Sequence, residues 1–493
     1  MTQALSSVLD RLFIIRPSFG LKEGEESEKI LWYYPQDDTL EQRLQLIGFC
    51  EAVVRFTTSF SNAREDHFYV ETEKLIHVYL EPEPDYLMGM TVRKSGMSHS
   101  SVSDSSTTIS SPTQQTAGNN SSSSNCVHEF VLQAVLRLAY RMYGLFIGTF
   151  AGTLDLCAQD RPSFRRRLEY FYDRYVITMK LSRLSLWDAL LGINFMPLSQ
   201  SAYLRIQSLV NRFTEHQPLV AQSVLLYNDC VLWFSISRDD MCTFYRYLSS
   251  SLLPGLLRQE LDQAARKQSM VLYGKFITGP SGDMTSLKGI KLPKIFLRNH
   301  NLTAGSECQA DSAAAFGEYS LVMYRCLNIT TCLLVPAKSE LTLDFYKDVD
   351  SQLGPHLTKL ASEIGELYAR LPADKGYHYL FFNHDTKSIR STLNQDGLSH
   401  GLGACEDPAN SLRPSVVPAL NHLLCEVHLS LMDADHFSDI IIRPEQDIWV
   451  MGKRSGSKEV MAIFSQKGFT LNDATEEMKS LCASCFGNMF LND

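Results

Sequence analysis

KILWYYPQDDTLEQRLQLIGFCEAVVRFTTSF, Lys29 to Phe60, places two periodicities side by side, joined by a proline. Lys29 to Tyr34 reads as a strand ended by Pro35. Neighbouring side chains on a strand point to opposite faces, so Trp32 and Tyr34 share one side and Tyr33 takes the other. Beyond the proline, Thr39 can cap a helix in which Leu40, Leu44, Ile47 and Val54 fall near helical spacing. A second row, Leu46, Phe49, Val53, Phe56 and Phe60, widens the apolar face beyond a single stripe. A sheet that is apolar on both sides and a helix too apolar for one contact imply layered packing, or a partner.

Working outward, Ser7 to Ile15 reads as a strand before the RPSFG turn, and GEESE suits an exposed hairpin tip. Short strands fit Phe68–Val70, Lys74–Leu80 and Tyr86–Arg93. Ser95 to Asn125 follows, thirty-one residues with thirteen Ser and four Thr. It has too few apolar groups to offset the entropy of ordering and reads as a disordered insertion. Helices are expected over Cys126–Ile147 and Ser163–Thr178.

The same grammar returns twice. Helix Ser201–Phe213 precedes strands SVLLYN and CVLWFSI around an Asn228–Asp229 turn, then helix Asp239–Leu253. Strands follow near Val271–Ile277, Lys294–Leu297 and Tyr319–Val335, and a helical region, Leu341–Leu371, bent or broken at Gly354–Pro355. The last block has a strand at Gly376–Phe382 and a polar stretch from Asn394 to Ser411. Helix Val416–Leu431, strands IWVMGKR and EVMAIFS, and helix Thr475–Phe486 complete it. These are three α+β modules, each a mostly antiparallel sheet packed with helices, over 1–195, 196–373 and 374–493.

The chain has 493 residues, 44% of hydrophobic type, with 46 Lys and Arg against 55 Asp and Glu and a net charge of -9. That balance argues against a surface that wraps nucleic acid. Twelve scattered cysteines and a start, MTQALSSVLD, without a basic-then-apolar leader point to a reducing, cytoplasmic setting. The sequons at Asn301 and Asn328 then carry no meaning. Leu132 to Phe150 is interrupted by Arg137 and Arg141, which disfavours a membrane span.

Covalent chemistry finds no footing. Cys482-Ala483-Ser484-Cys485 has redox spacing but sits late in a helix, where core packing is the simpler role. Cys326 and Cys332 lack a second close pair for zinc. His422, His428 and His436 do not converge at their spacings. Glu83 and Asp85 flank Pro84 as a solvated turn. Gly274 to Pro280 lacks the glycine spacing of a phosphate loop. Lys453, Arg454 and Lys458 form a basic hairpin tip, and Arg165 to Arg167 a basic helical run; both read as solvated surface. No catalytic residue, metal or cofactor is expected.

Taken together, the segments resemble the metazoan vacuolar-fusion Ccz family, subunits of the Mon–Ccz complex. The likeness rests on FGLKEGEESEKILWYYP and IGFCEAVVRFTTSF, then YLRIQSLVNRF, LYNDCVLWFS, DDMCTFYRYLSSSL and YGKFITGP. IWVMGKRSGSKEVMAIF and MKSLCASCFGNMFLND complete it, in order along nearly the whole chain. The resemblance implies three longin-type domains, the first pairing with its counterpart in the Mon subunit. It implies a nucleotide exchange platform for the late-endosomal and lysosomal Rab GTPase, without covalent catalysis. A further metazoan regulatory subunit and peripheral recruitment to endosomal membranes come with it. On that platform Trp32, Tyr34, Phe49 and Glu51 become the candidate partner-interface residues. The competing expectation is a structural trafficking adaptor that holds partners without releasing nucleotide.

Overall fold

The computed structural model describes residues 8–60, 67–94, 128–179, 181, 184–254, 273–280, 291–298, 316–369, 378–392, 417–434, 437–445, 448–465 and 468–486. The serine-rich insertion, the polar stretch 394–411 and His436 lie outside these residues.

The N-terminal block opens with β1 (Leu9–Ile15) and β2 (Ile30–Tyr34), then α1 (Leu40–Phe60) and β3 (His67–Glu71), β4 (Leu75–Glu83) and β5 (Tyr86–Arg93). Helices α2 (Glu129–Phe146), α3 (Phe150–Leu156), α4 (Arg161–Thr178) and α5 (Leu186–Leu190) follow. The middle block comprises α6 (Gln200–His216), β6 (Gln222–Tyr227), β7 (Cys230–Phe234), α7 (Arg238–Tyr247), β8 (Lys275–Thr278), β9 (Lys294–Arg298), β10 (Phe316–Cys326), β11 (Ile329–Pro336) and α8 (Leu343–Ala369). The last holds β12 (His378–Asn383), β13 (Ser388–Ser391), α9 (Val417–Asp433), β14 (Phe437–Glu445), β15 (Ile448–Ser455), β16 (Lys458–Ser465) and α10 (Leu471–Phe486).

Strand order, which the sequence pattern left open, is one order used three times. The sheets run β2-β1-β5-β4-β3, β7-β6-β11-β10-β8 and β13-β12-β16-β15-β14, with β9 added beside β10 in the middle one. In each, a hairpin is followed by a helix and three more strands, and the last strand returns to pair with the first. Every pairing within the three sheets is antiparallel.

Packing gathers the chain into two compact units. The first draws on 1–137, 168–189 and 412–426; the second on 138–167, 190–411 and 427–493. In the first unit, register puts Phe13 opposite Tyr33 and Ile14 opposite Trp32. Phe13, Ile15, Tyr33, Tyr79 and Leu87 form one buried face with Ile47 and Cys50 of α1. The other face is met by α4, whose Leu168, Tyr172 and Val176 are buried at helical spacing. Its Tyr172 ring packs 5.2 Å from that of Trp32.

In the second unit, Ile206, Val210 and Phe213 of α6 join Val349, Leu353, Leu357 and Ile364 of α8 in one core with β6, β10 and β11. Trp449, Met451, Val460 and Phe464 of the last sheet pack with Met478, Leu481, Cys482 and Phe486 of α10. On that sheet's opposite face, a Cβ added to Gly452 would lie 2.5 Å from Val427 Cγ1, so the strand approaches α9 closely.

Three expectations need correction. Of a bend or a break at Gly354–Pro355, the break is overturned: α8 continues as one helix through both residues. Burial of Val349, Leu353, Leu357 and Leu360 along its length outweighs the single hydrogen bond that proline removes. The helix expected to Leu253 ends as α at Tyr247 and continues as a wider π turn, Leu248–Leu252. Strands β13 and β14 escaped sequence reading. Ser388–Ser391 is too short to show alternation, and FSDIIIRPE hides its apolar run among an Asp, an Arg and a Pro.

Helices α2 and α3 together, Glu129–Leu156, meet the length and apolarity of a membrane span, yet 56% of the apolar 18-residue window within them is buried inside the protein. The stretch is broken by Gly148, at φ +106°. Leu132, Leu136, Ala139 and Tyr143 before the break, and Phe150 and Leu154 after it, are buried core residues.

Gly89 sets a packing limit: a Cβ there would lie 2.3 Å from Phe13 Cζ. Gly89→Ala should lower the stability of the first unit by about 1–3 kcal/mol, and a companion Phe13→Leu should recover part of it. Urea denaturation followed by tryptophan fluorescence measures both.

Candidate partner-binding surface

The four residues expected at a partner surface divide between two layers. Trp32 is 3% exposed and donates from Nε1 to Asp173 Oδ1 at 2.9 Å. Its indole is thus satisfied inside the chain, where a buried N–H needs an acceptor. Tyr34 lies on the same strand face and is half-buried. Phe49 and Glu51 belong to α1, which covers the opposite face. The structure therefore puts Trp32 and Tyr34 on one strand face, and Phe49 and Glu51 two residues apart on α1, directed to different sides of that helix.

Glu51 is tied to the start of β2. Lys29 Nζ donates to its Oε2 at 3.0 Å, both side chains being about 15% exposed. Its other oxygen, Oε1, is buried with no hydrogen-bond partner among the described residues. Phe49 is 41% exposed and sets its ring edge-on to His77, 5.6 Å away. His77 in turn stacks on Tyr79 and shares a 3.1 Å hydrogen bond with Thr91 Oγ1.

The outer side of α1 is the feature that single-residue reading missed. Gln45, Gly48, Phe49, Ala52, Phe56 and Ser59 are all exposed, at spacings of three and four. Phe56 is 66% exposed, and nothing lies within 4 Å of where a Gly48 Cβ would be. Small residues at Gly48 and Ala52 leave a shallow seam between two aromatic rings. The signal was present in the wide apolar face of Lys29–Phe60; which row faces outward required the sheet's position.

A charged lock holds the start of this helix. Asp38 accepts from Arg11 Nε at 2.7 Å and from the Tyr33 hydroxyl at 2.8 Å, and the Arg43 guanidinium sits 5.0 Å above the Tyr33 ring. Burial tends to raise the Asp38 pKa, but the hydrogen bonds from Arg11 and Tyr33 and the charges of Arg11 and Arg43 hold it below the usual range. Burial, reinforced by Asp38, drives the Tyr33 phenol well above its ordinary value.

Elsewhere, the sequence motifs resolve into structure. Cys482 is buried in the α10 core, where burial pushes its thiol up to about 11, and Cys485 packs at the edge of that core. Lys275–Thr278 is strand, followed by Gly279 at φ +149°. Glu83 corrects the expectation of a wholly solvated turn: it is 6% exposed, paired across the bulged hairpin with Tyr86. Asp85 accepts from Arg16 Nε at 2.8 Å. Arg454 is likewise no mere solvated tip residue, since its guanidinium donates to the Leu431 and Met432 carbonyls at the end of α9.

His422 and His428 join different groups, each completed by residues distant in sequence. His422 meets His128 and Glu426, with ring centroids of the two histidines 4.9 Å apart. His428 meets His384 and Glu459. Burial works to raise the Glu459 pKa, but the two facing imidazoles, His384 and His428, keep it below the usual glutamate range.

Three sheets of one strand order, each enclosed by helices, define a chain of longin-type domains. Residues 9–148 match the family model described as the first longin domain of INTU, CCZ1 and HPS4. Residues 220–354 and 373–481 match Intu longin-like domains 2 and 3. The vacuolar fusion protein CCZ1 homologue of Tetraodon nigroviridis is 31% identical, over 98% of this chain and 95% of its own. Its counterpart in Xenopus laevis is also 31% identical, over 98% and 96%. That of Dictyostelium discoideum is 24% identical over 96% and 95%. The chain belongs to the CCZ1 family of vacuolar fusion proteins.

His77 supplies a pH test of this surface. Burial lowers its pKa below 6.5, with Asp10 opposing and Arg11 assisting. The unfolded chain therefore takes up this proton first as pH falls. The stabilising contribution is full above pH 6.5 and declines as pH drops from there toward the folded value. His77→Gln should flatten that acid-side decline in melting temperature and leave the alkaline side unchanged, as read by thermal melts across pH.

Proposed function

We propose that this chain is one subunit of a two-subunit guanine nucleotide exchange factor for a late-endosomal or lysosomal Rab GTPase. The companion is a Mon-type longin subunit, and the assembly acts peripherally on endosomal membranes. The observation that carries the reading is the exposed, uncharged seam of α1, Gly48, Phe49, Ala52 and Phe56, on a longin sheet of a CCZ1-family chain. The domains are taken as 1–195, 196–373 and 374–493.

Exchange breaks no covalent bond. The factor must bind the nucleotide-free GTPase better than the nucleotide-bound form, because only differential affinity shifts a population. Moving a 1:99 balance to 99:1 takes about 5.5 kcal/mol of preference. A few desolvated aromatic contacts supply energies of that order. Phe49 and Phe56 offer such area directly, whereas Glu51 is held by Lys29, and Tyr34 belongs to the other face of the sheet. Trp32 supports the platform from beneath, by fixing the opposite face of β2 on α4.

This division decides which variants are informative. Trp32→Ala would open the interior at a cost of about 3–5 kcal/mol, and Glu51→Arg would strand Lys29 beside a like charge. Phe49→Glu and Phe56→Glu alter surface positions instead. In the reconstituted two-subunit complex, the pair should slow the release of fluorescent GDP from the Rab by about 30-fold, equivalent to about 2 kcal/mol, while leaving the chain's melting temperature unchanged. Release at the wild-type rate would refute the surface assignment. A wild-type complex that assembles and leaves GDP release unaltered would make the protein an adaptor.

A further inference from the structure

The geometry points to a divalent transition-metal site in the last sheet, formed by His384, His428 and Glu459, with zinc as the cation it suits. The three residues come from three elements. His384 follows β12, and its backbone N–H is pinned to the Ser457 carbonyl at 2.8 Å. His428 projects from α9, and Glu459 from β16. Their potential ligand atoms all lie within 4.8 Å of one another.

Glu459 is the anomaly that calls for a cation. Its side chain is 0% exposed, on a strand between Lys458 and Val460 and opposite Phe382. Burying a carboxylate costs several kcal/mol unless it is paired. The nearest cationic strand neighbour, Arg454, directs its guanidinium to the Leu431, Met432 and Gly456 carbonyls. What faces Glu459 is imidazole from two sides. His428 Nδ1 lies 2.9 Å from Oε2, and His384 Nε2 lies 3.4 Å from Oε1.

A plain hydrogen-bonded pair accounts for only half of this. A proton on His428 Nδ1 satisfies Glu459 but leaves His384 Nε2 buried without a hydrogen-bond partner among the described residues. A metal ion employs all three groups. With bonds of about 2.0–2.2 Å, the 2.9 and 3.4 Å separations between imidazole nitrogen and carboxylate subtend angles of about 90–110° at an ion, within the range of a tetrahedral zinc centre, and the two rings close on it by a small adjustment. Both rings are already oriented. They stack with an 11° interplanar angle, and the Phe382 ring abuts His384 edge-on at 4.8 Å. His384, the most exposed ligand at 22%, supplies the closing adjustment and the side open to a water as fourth ligand.

The other histidine pair lacks this capacity. His128 Nδ1 accepts from the Phe130 N–H, which places the proton on Nε2 and leaves that ring without a lone pair to offer. His422 and Glu426 are left as an exposed pair on one turn of α9.

The ion would clamp α9 to β12 and β16, so its effect is structural. The full-length chain, stripped with EDTA, should take up one equivalent of Zn²⁺ in a competition assay with a chromophoric chelator. Co²⁺ should give the visible absorption of a four-coordinate site. Loss of a supporting group costs 10–100-fold in affinity, so removing a ligand with His384→Asn should weaken Zn²⁺ by about 100-fold or more. His384 is partly exposed, and that variant should melt together with the stripped wild type. Glu459→Gln should lose the ion as well, and His422→Gln should bind as the wild type does. Failure of the stripped wild type to take up either ion overturns the site. So does binding that survives in His384→Asn or disappears in His422→Gln.

Discussion

Strand β2 has to bury both of its faces. Tyr33 on one side and Trp32 on the other are 4% and 3% exposed, so a single helix layer cannot complete the first sheet. Helix α1 closes the Tyr33 side. The Trp32 side waits for α4, reached only after a long excursion of the chain, and the contact is fixed by a hydrogen bond to Asp173 as well as by ring packing. The requirement for two covers explains why the first compact unit recruits residues 168–189 from beyond its own strands. A sheet exposed on either side would leave a row of aromatic and aliphatic groups in water.

Once both faces are covered, what remains for recognition is the outside of the cover. Helix α1 has its inner rows committed to Phe13, Tyr33 and Tyr79, while its outer seam is apolar without being needed by its own sheet. Surface of this kind suits work done by binding. It supplies shape and dry contact where phosphate chemistry belongs to another protein. The Arg11–Asp38–Tyr33 group holds the start of the helix and the Lys29–Glu51 pair its middle, so the seam is presented by a rigid element.

Much of the fold was legible because alternation and helical spacing act locally. Strands near Tyr86–Arg93 and IWVMGKR, and the opposite facing of Trp32 and Tyr33, follow from period two alone. Sheet order is a nonlocal property, and it emerged only when β5 was seen to return beside β1. Pro355 does not break α8, because a proline's local cost is outweighed by the buried length of the helix on either side of it, which local spacing does not show. The site was legible in part. Phe49 and Glu51 read as members of one helix, as they are, but which row of that helix faces outward needed the sheet as a reference. His384 and Glu459 gave no signal at all, since 75 residues separate them and no spacing rule spans an antiparallel return. His422 and His428, six apart on one helix, point to different neighbours, and their proximity in sequence was uninformative.

The cysteines have a practical side. Cys50 lies in the first sheet's core; Cys230, Cys326 and Cys332 belong to the middle sheet; and Cys482 lies beneath the last. Burial drives each of these thiols upward, away from the reactive thiolate. An alkylating reagent reaches them only when the surrounding layer opens. The three longin domains thus carry native reporters of their own breathing, and the order in which the sulfurs become modified would chart which layer loosens first.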